Sequence, residues 1–446
     1  MHSMLVVLVC LLVLVTAASA QLPEAAIPVN LTGDWQVTVG PGTVHLGGRD
    51  IALAQPVALT VTPPAKVVVT GEAIGDVPVF NPKGNWRKGV YLHGVQAQEC
   101  STTGLLIDGS VVVKRDTGEA LERGKDFEVD PFWGSVGRLE GGALAAGQKV
   151  LVDYAYVPLR IDSIVALPDN SLRLVAGTPG VGSVPLPTLP EGAVAIVNLW
   201  HHGPADKLDD TNLYPIDPQA MAPVVVPVAE KLLPRTLAKL RAGQDVKIVA
   251  WGDSVTAGGG VGGQKELWYQ NQFATALGER FPQAKVQMIT AGWGGQSSAG
   301  YMAAPRGGPK DFIRDVLEPK PDLIVMEFVN DAYLNGDGLK NQYKGIMQQL
   351  QGCGAEVILI APHFVRPDWM GVPTAKFDHD PRPYVRDLKL FAADNNLALA
   401  DGSSRWEKLW RQGIPYMSLE ANSINHPDAR GMRLFSDALM ALFPEK

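Results

Sequence analysis

Val246-Lys247-Ile248-Val249-Ala250-Trp251-Gly252-Asp253-Ser254-Val255-Thr256 is the stretch on which the reading of this chain turns. Its first six residues are mostly apolar and end at a glycine. A run this short and this apolar reads as a strand buried on both faces. The serine then falls at the strand exit, where a hydroxyl and a backbone N–H can face the same space. Downstream the theme repeats at 286–289, 323–326, 357–360 and 397–399. Amphipathic stretches lie between, at 339–350 and 384–393. A last one carries Met432, Phe435, Leu439 and Leu442. Strand alternating with helix predicts a parallel sheet covered on both faces.

Upstream the pattern differs. Short β-branched or aromatic runs occur at 67–70, 110–113, 150–157, 171–175 and 193–197. Asp169-Asn170 and Gly177-Thr178-Pro179-Gly180 punctuate them. This spacing predicts an all-β, sandwich-like domain over 21–200. Residues 201–235 hold His201-His202-Gly203-Pro204 and prolines at 215, 218, 223, 227 and 234. They read as an extended, proline-stiffened connector. It runs into a lead-in helix carrying Leu232, Leu233, Leu237 and Leu240. The α/β domain then occupies 236–446.

The first twenty residues read as a secretory signal. An apolar run from Met4 to Thr16 precedes Ala17-Ala18-Ser19-Ala20, a small-residue cleavage pattern, with Gln21 as the mature start. Cys10 follows Val9, where a lipoprotein signal needs a small residue. The expectation is therefore a secreted or periplasmic protein, cleaved near Ala20. No other apolar segment reaches the ~20 residues that a membrane span requires.

The 446 residues carry a net charge of −7 and no long basic run, which argues against a nucleic-acid partner. After the signal, two cysteines remain, Cys100 and Cys353. They read as buried free thiols, with one inter-domain bridge as the alternative. No C-x-x-C pair suggests zinc.

Four places bear chemistry. Gly252-Asp253-Ser254 leaves the first strand of the α/β domain. Ala291-Gly292-Trp293-Gly294-Gly295-Gln296 leaves the second, where glycines let the backbone approach a ligand. Asn330-Asp331 follows the third, and the Asn330 amide can donate to an oxyanion without adding charge. His426-Pro427 lies in the closing loop, before the last helix. Open α/β sheets gather ligands at the carboxyl ends of their strands.

Ser, Gly, Asn and His in this order, on successive loops, resemble the SGNH (GDSL-like) hydrolases over roughly residues 228–446. The resemblance implies a three-layer, flavodoxin-like α/β fold. Ser254 would be the nucleophile and His426 the general base. The Ser254 N–H, the Gly295 N–H and the Asn330 side chain would form the oxyanion hole. Two positions depart from the family. Phe328 stands where a glycine precedes the asparagine by two. Ser423 stands where an aspartate usually precedes the histidine by three. The imidazole must then be oriented in another way. A backbone carbonyl, Ser423 or Asn422, or a remote carboxylate such as Asp401 or Asp428 are the open readings.

The expected activity is deacylation of a carbohydrate or other small ester through an acyl-enzyme, with no metal or organic cofactor. Trp251 and Trp293 adjoin the site and are candidates to line a sugar or acyl pocket. Trp86, Tyr91, Phe132 and Trp133 are candidates for carbohydrate stacking in the β domain. A lipase or thioesterase for longer chains is one alternative, and a non-catalytic glycan-binding protein is another. A metal-dependent hydrolase built on His363 and Asp378-His379-Asp380 is the third.

Overall fold

The structure is a computed structural model, and it describes residues 27–220 and 225–445. The signal segment lies outside the described residues.

The first half is all-β. Its strands form several small antiparallel sheets. One joins Val67–Ile74, Val150–Tyr156 and Val112–Arg115. Another joins Leu172–Val175, Arg160–Ala166, Val194–His201 and Leu213–Pro215. Two hydrophobic cores fill this half, one around Leu92, Val113, Val152 and Ile161, the other around Val37, Ile51, Ile164 and Leu199.

The segment read as a connector is partly strand. Leu213–Pro215 pairs with Val194–His201, so the chain stays within the β half through Pro215. His201 ends that strand with its ring against Asp162 at 3.0 Å. The lead-in helix is two helices, Ala229–Leu232 and Pro234–Arg241. Proline disfavours helical backbone in the residue before it, and Leu233 leaves the helical region there.

The second half is a five-stranded parallel sheet: β1 (Val246–Gly252), β2 (Val286–Gly292), β3 (Leu323–Glu327), β4 (Glu356–Ala361) and β5 (Ala398–Asp401). Its order is 2-1-3-4-5, the flavodoxin-like winding. Along β1, Val246, Ile248 and Ala250 enter one core while Val249 and Trp251 enter the other. This period-two split places helices on both faces. α1 (Tyr269–Arg280) and α4 (Ala429–Met440) cover the first face with Phe273, Leu277, Phe435 and Leu439. α2 (Gly336–Gly352) and α3 (Pro383–Asp394) cover the second with Leu339, Tyr343, Leu388 and Phe391.

The halves share a boundary core. Trp410 belongs by contact to the β half's core, with Met417 packed beside it. Asn198 Nδ2 donates to Gly413 O at 2.7 Å. Arg430 Nη2 donates to Val184 O at 3.0 Å.

Candidate active site

The winding order changes direction between β1 and β3, and such switch points open a crevice at the strands' carboxyl ends. Asp253 is fully buried there. Its Oδ1 accepts Val255 N at 3.1 Å and its Oδ2 accepts Asn330 N at 3.0 Å, tying the two loops together. Burial pushes the Asp253 carboxyl up to about 6 and the neighbouring Glu327 carboxyl well higher. Two adjacent buried carboxyls do not both ionise, so near neutral pH Glu327 keeps its proton and Asp253 carries the charge.

Ser254 is half-buried in this turn. The loop after β2 passes beside it, and a Cβ built on Gly294 would stand 3.8 Å from Ser254 Cβ. Gly295 follows with φ +74° and open space around it. Asn330 Nδ2 donates to Gln296 O at 3.3 Å, which fixes the amide plane. An amide has two N–H groups, so one stays available for an oxyanion. Asp331 braces the arrangement, accepting Ser298 N and Tyr343 OH, each at 2.9 Å.

His426 comes from the far end of the chain. Asn422 Oδ1 accepts three backbone N–H groups, from Ile424, Asn425 and His426, at 2.9–3.0 Å. His363 donates from Nε2 to Asn425 O at 2.8 Å. Ser423 takes a left-handed backbone, φ +57°. The imidazole rests on Gly259. A Cβ there would lie 3.0 Å from both Cδ2 and Cε1 of His426 and 2.9 Å from Ser254 O. A Cβ on Gly260 would strike Pro427 O at 2.1 Å. The glycine run after Ser254 thus lets the closing loop pack onto the serine turn. The Ser254 hydroxyl and the imidazole make no direct hydrogen bond, and catalytic contacts of this kind often tighten only once substrate is bound.

The group at the other ring nitrogen is one that sequence reasoning missed. Glu99 Oε1 lies 3.1 Å from His426 Nδ1. The contact is bent, and Nδ1 has no well-aligned hydrogen-bond partner among the described residues. Glu99 sits at the tip of a hairpin formed by Gln96–Ala97 and Cys100–Ser101. Of the orienters expected, Asn422 holds the His426 backbone and donates from Nδ2 to Glu99 Oε1 at 2.8 Å, while Ser423 faces a cavity. Asp401 caps the helix Gly402–Trp406 and pairs with Lys389, and Asp428 caps α4 and pairs with Arg430. Both carboxylates are spent elsewhere. No local signal marks Glu99, because 323 residues separate it from Asn422.

The aromatic expectations divide. Trp251 is fully buried among Tyr301, Phe312 and Phe328, so it is core and lines no pocket. Trp293 is half-buried, edge-on to Tyr301. Tyr91 and Trp133 are buried as well, since they close the packing around Cys100 and Ile424. Trp86 and Phe132 are exposed, at 38% and 47%, and Trp369 from the α/β half joins them at 45%. The Trp86 and Trp369 rings lie 5.9 Å apart, and Arg366 stacks on Phe132, Trp133 and Trp369. Arg366 N also donates to Ile424 O, placing this shelf beside the closing loop. A cavity of about 780 Å³ opens between the halves, bounded by Phe132, Trp200, Tyr214, Lys376, Met417 and Ser423.

Cys100 is buried and unpaired, donating to Asn422 O, and Cys353 is an unpaired, half-buried thiol. The residues considered for a metal go separate ways. His363 is buried and held by its loop, Asp378 pairs with Arg411, and Asp380 pairs with Arg382. No cluster of three or more potential metal ligands occurs among the described residues. No helix among them is long and apolar enough to cross a membrane.

A flavodoxin-like sheet with serine, asparagine and histidine gathered at its switch point defines an α/β domain of the hydrolase class. Residues 250–434 match the family model described as the GDSL-like Lipase/Acylhydrolase family, and the C-terminal half of the chain carries a domain of that family. No curated protein matches the chain. Among solved structures, a two-domain esterase active on acetylated mannans is 21% identical with a TM-score of 0.38. The match covers 47% of this chain and 51% of that one, so this chain spans about half its length. An acetyl xylan esterase is 23% identical over 44% of this chain and 98% of its own, with a TM-score of 0.34. The acetylxylan esterase of Geobacillus stearothermophilus is 18% identical over 44% and 92%, with a TM-score of 0.35.

Proposed function

We propose that this chain is a secreted serine ester hydrolase that removes acyl groups, acetyl first among them, from carbohydrate. The observation that carries the reading is the packing of the His426 imidazole on the turn that presents Ser254, with Gly259 between them. Ser254 Oγ attacks the ester carbonyl while His426 Nε2 takes its proton. The oxyanion that forms is held by the N–H groups of Ser254 and Gly295 and by the Asn330 amide. Collapse expels the alcohol, which receives the proton from His426. Water then attacks the acyl-enzyme by the same route in reverse.

Carbohydrate as the alcohol is supported by the exposed Trp86, Phe132 and Trp369 rings beside the closing loop. Flat aromatic faces outside a core suit the apolar faces of sugars. Secretion rests on the leader-like first twenty residues.

Treatment with an organophosphorus serine reagent, followed by peptide mapping, is the direct test. The label is expected on Ser254, and Ser254→Ala is expected to abolish ester turnover while the protein stays folded. Label elsewhere, or turnover retained in Ser254→Ala, would end the serine mechanism. Parallel assays with acetyl and octanoyl esters of one chromogenic alcohol test the acyl preference. A marked preference for octanoyl would move the chain to the lipase or thioesterase reading.

A further inference from the structure

We propose that Glu99, carried by the β half, is the carboxylate that orients His426, so that the catalytic set is completed across the two halves of the chain. This inference rests on the serine reading above.

The argument begins with what the closing loop lacks. At the position three before the histidine stands Ser423, in a left-handed turn that borders the inter-half cavity. The ring's Nδ1 therefore receives nothing from its own loop. The nearest acidic oxygen is Glu99 Oε1 at 3.1 Å. Three contacts bring it there. Cys100 Sγ donates to Asn422 O at 2.6 Å. Asn422 Nδ2 donates to the same Glu99 oxygen at 2.8 Å. Tyr91, Cys100, Trp133 and Ile424 form a small buried cluster beneath the hairpin. Asn422 thus acts on both partners, taking the His426 N–H with Oδ1 and holding the acid with Nδ2.

The electrostatics are consistent with this geometry. Burial opposes ionisation of Glu99, but the close approach of the His426 imidazole, with the Asn422 amide, holds its carboxyl down to about 2. It is then ionised throughout the neutral and mildly acidic range. The other titratable groups around the pair are Tyr91 and Cys100, both kept neutral by burial. Asp253 acts on His426 from the serine turn. His363, pushed down to about 3 by burial, stays neutral behind the loop. Glu99 is a positioning residue. As Ser254 loses its proton to Nε2, the Nδ1 proton stays on the ring, and the carboxylate stabilises the imidazolium without accepting it.

The test is Glu99→Gln and Glu99→Ala in the full chain, assayed with 4-nitrophenyl acetate across pH. Both are expected to lower kcat/KM by roughly 10²-fold and to move the acid limb of the profile to lower pH, as removing a neighbouring anion disfavours the imidazolium. Added formate is expected to restore part of the Glu99→Ala activity. Activity within about twofold of the parent would overturn the proposal. So would a loss of rate with an unmoved pH profile and no formate rescue, since that marks a structural role. Ser254→Ala separates the two readings. If it retains turnover, the serine mechanism has failed. If it is dead while Glu99→Gln keeps full rate, only the Glu99 assignment has failed.

Discussion

The two halves of the molecule contribute to the site by different physical routes. In the α/β half, position follows from topology. Parallel winding with the order 2-1-3-4-5 brings the exits of β1 and β3 together, so Ser254 and Asn330 become neighbours whatever the loops contain. In the β half, position follows from docking. The Glu99 hairpin has two-residue strands, and it reaches His426 because Cys100, Asn422 and Ile424 close on one another. The first route leaves periodic patterns in sequence. The second leaves none, because its partners are hundreds of residues apart and each looks ordinary alone.

The comparison can be broken first where topology does the placing. Gly259→Ala would put a methyl group 3.0 Å from two imidazole carbons and 2.9 Å from Ser254 O. Since Gly259 has no left-handed backbone requirement, the strain is one of space alone. The imidazole must shift by several tenths of an ångström, and a misplacement of this kind can cost about 10²-fold in rate. The expected result is a kcat reduced by about that factor, with some loss of thermal stability because the 2.9 Å contact is to the Ser254 backbone. A parental kcat would mean that the serine turn and the imidazole do not need this close packing.

The docking route is tested at Asn422. Asn422→Ala removes one acceptor from three backbone N–H groups and one donor from Glu99. Orphaned buried N–H groups cost about 1–3 kcal/mol each, with the larger values where water cannot enter. A loss of at least about 3 kcal/mol in urea unfolding is expected, together with reduced turnover. Asn422→Asp sharpens the result. It keeps the acceptor for the three N–H groups but sets a negative charge against Glu99. Stability should recover more than activity does. Equal recovery of both would show that Asn422 serves the loop alone.

What the sequence made legible follows the same division. All five strands of the parallel sheet were readable from short apolar runs ending in polar exits. The roles of Ser254, Gly295, Asn330 and His426 came from a resemblance in the order of their motifs. The strand Arg160–Ala166 was not readable, although it is buried along its whole length. Arg160, Asp162 and Ser163 interrupt its apolar pattern. They are tolerated inside because Arg160 and His201 bond to Asp162 and Ser163 bonds to Asn198. Such compensation lies outside any local window. His363 shows the converse. It was visible in sequence as a candidate metal ligand, yet its single polar bond supports the loop carrying His426. Trp251 was likewise conspicuous beside the serine, but side chains alternate along a strand and its own enters the core beneath α2 and α3.

The smallest expected effect concerns where the two halves meet at the surface. Trp369 stands 45% exposed on the α/β half, 5.9 Å from the Trp86 ring of the β half. With Phe132 exposed nearby, the two indoles form an apolar surface patch, and such patches are common at binding sites. If the pair holds the sugar chain while the acyl group reaches Ser254, removing one ring weakens binding before chemistry. Trp369→Ala is then expected to raise KM for an acetylated polysaccharide several-fold, with a smaller change for 4-nitrophenyl acetate, because uniform binding affects KM rather than kcat. Equal changes for both substrates would place Trp369 in the support of Arg366 and the closing loop instead. The carbohydrate assignment would then lose the aromatic shelf that supports it.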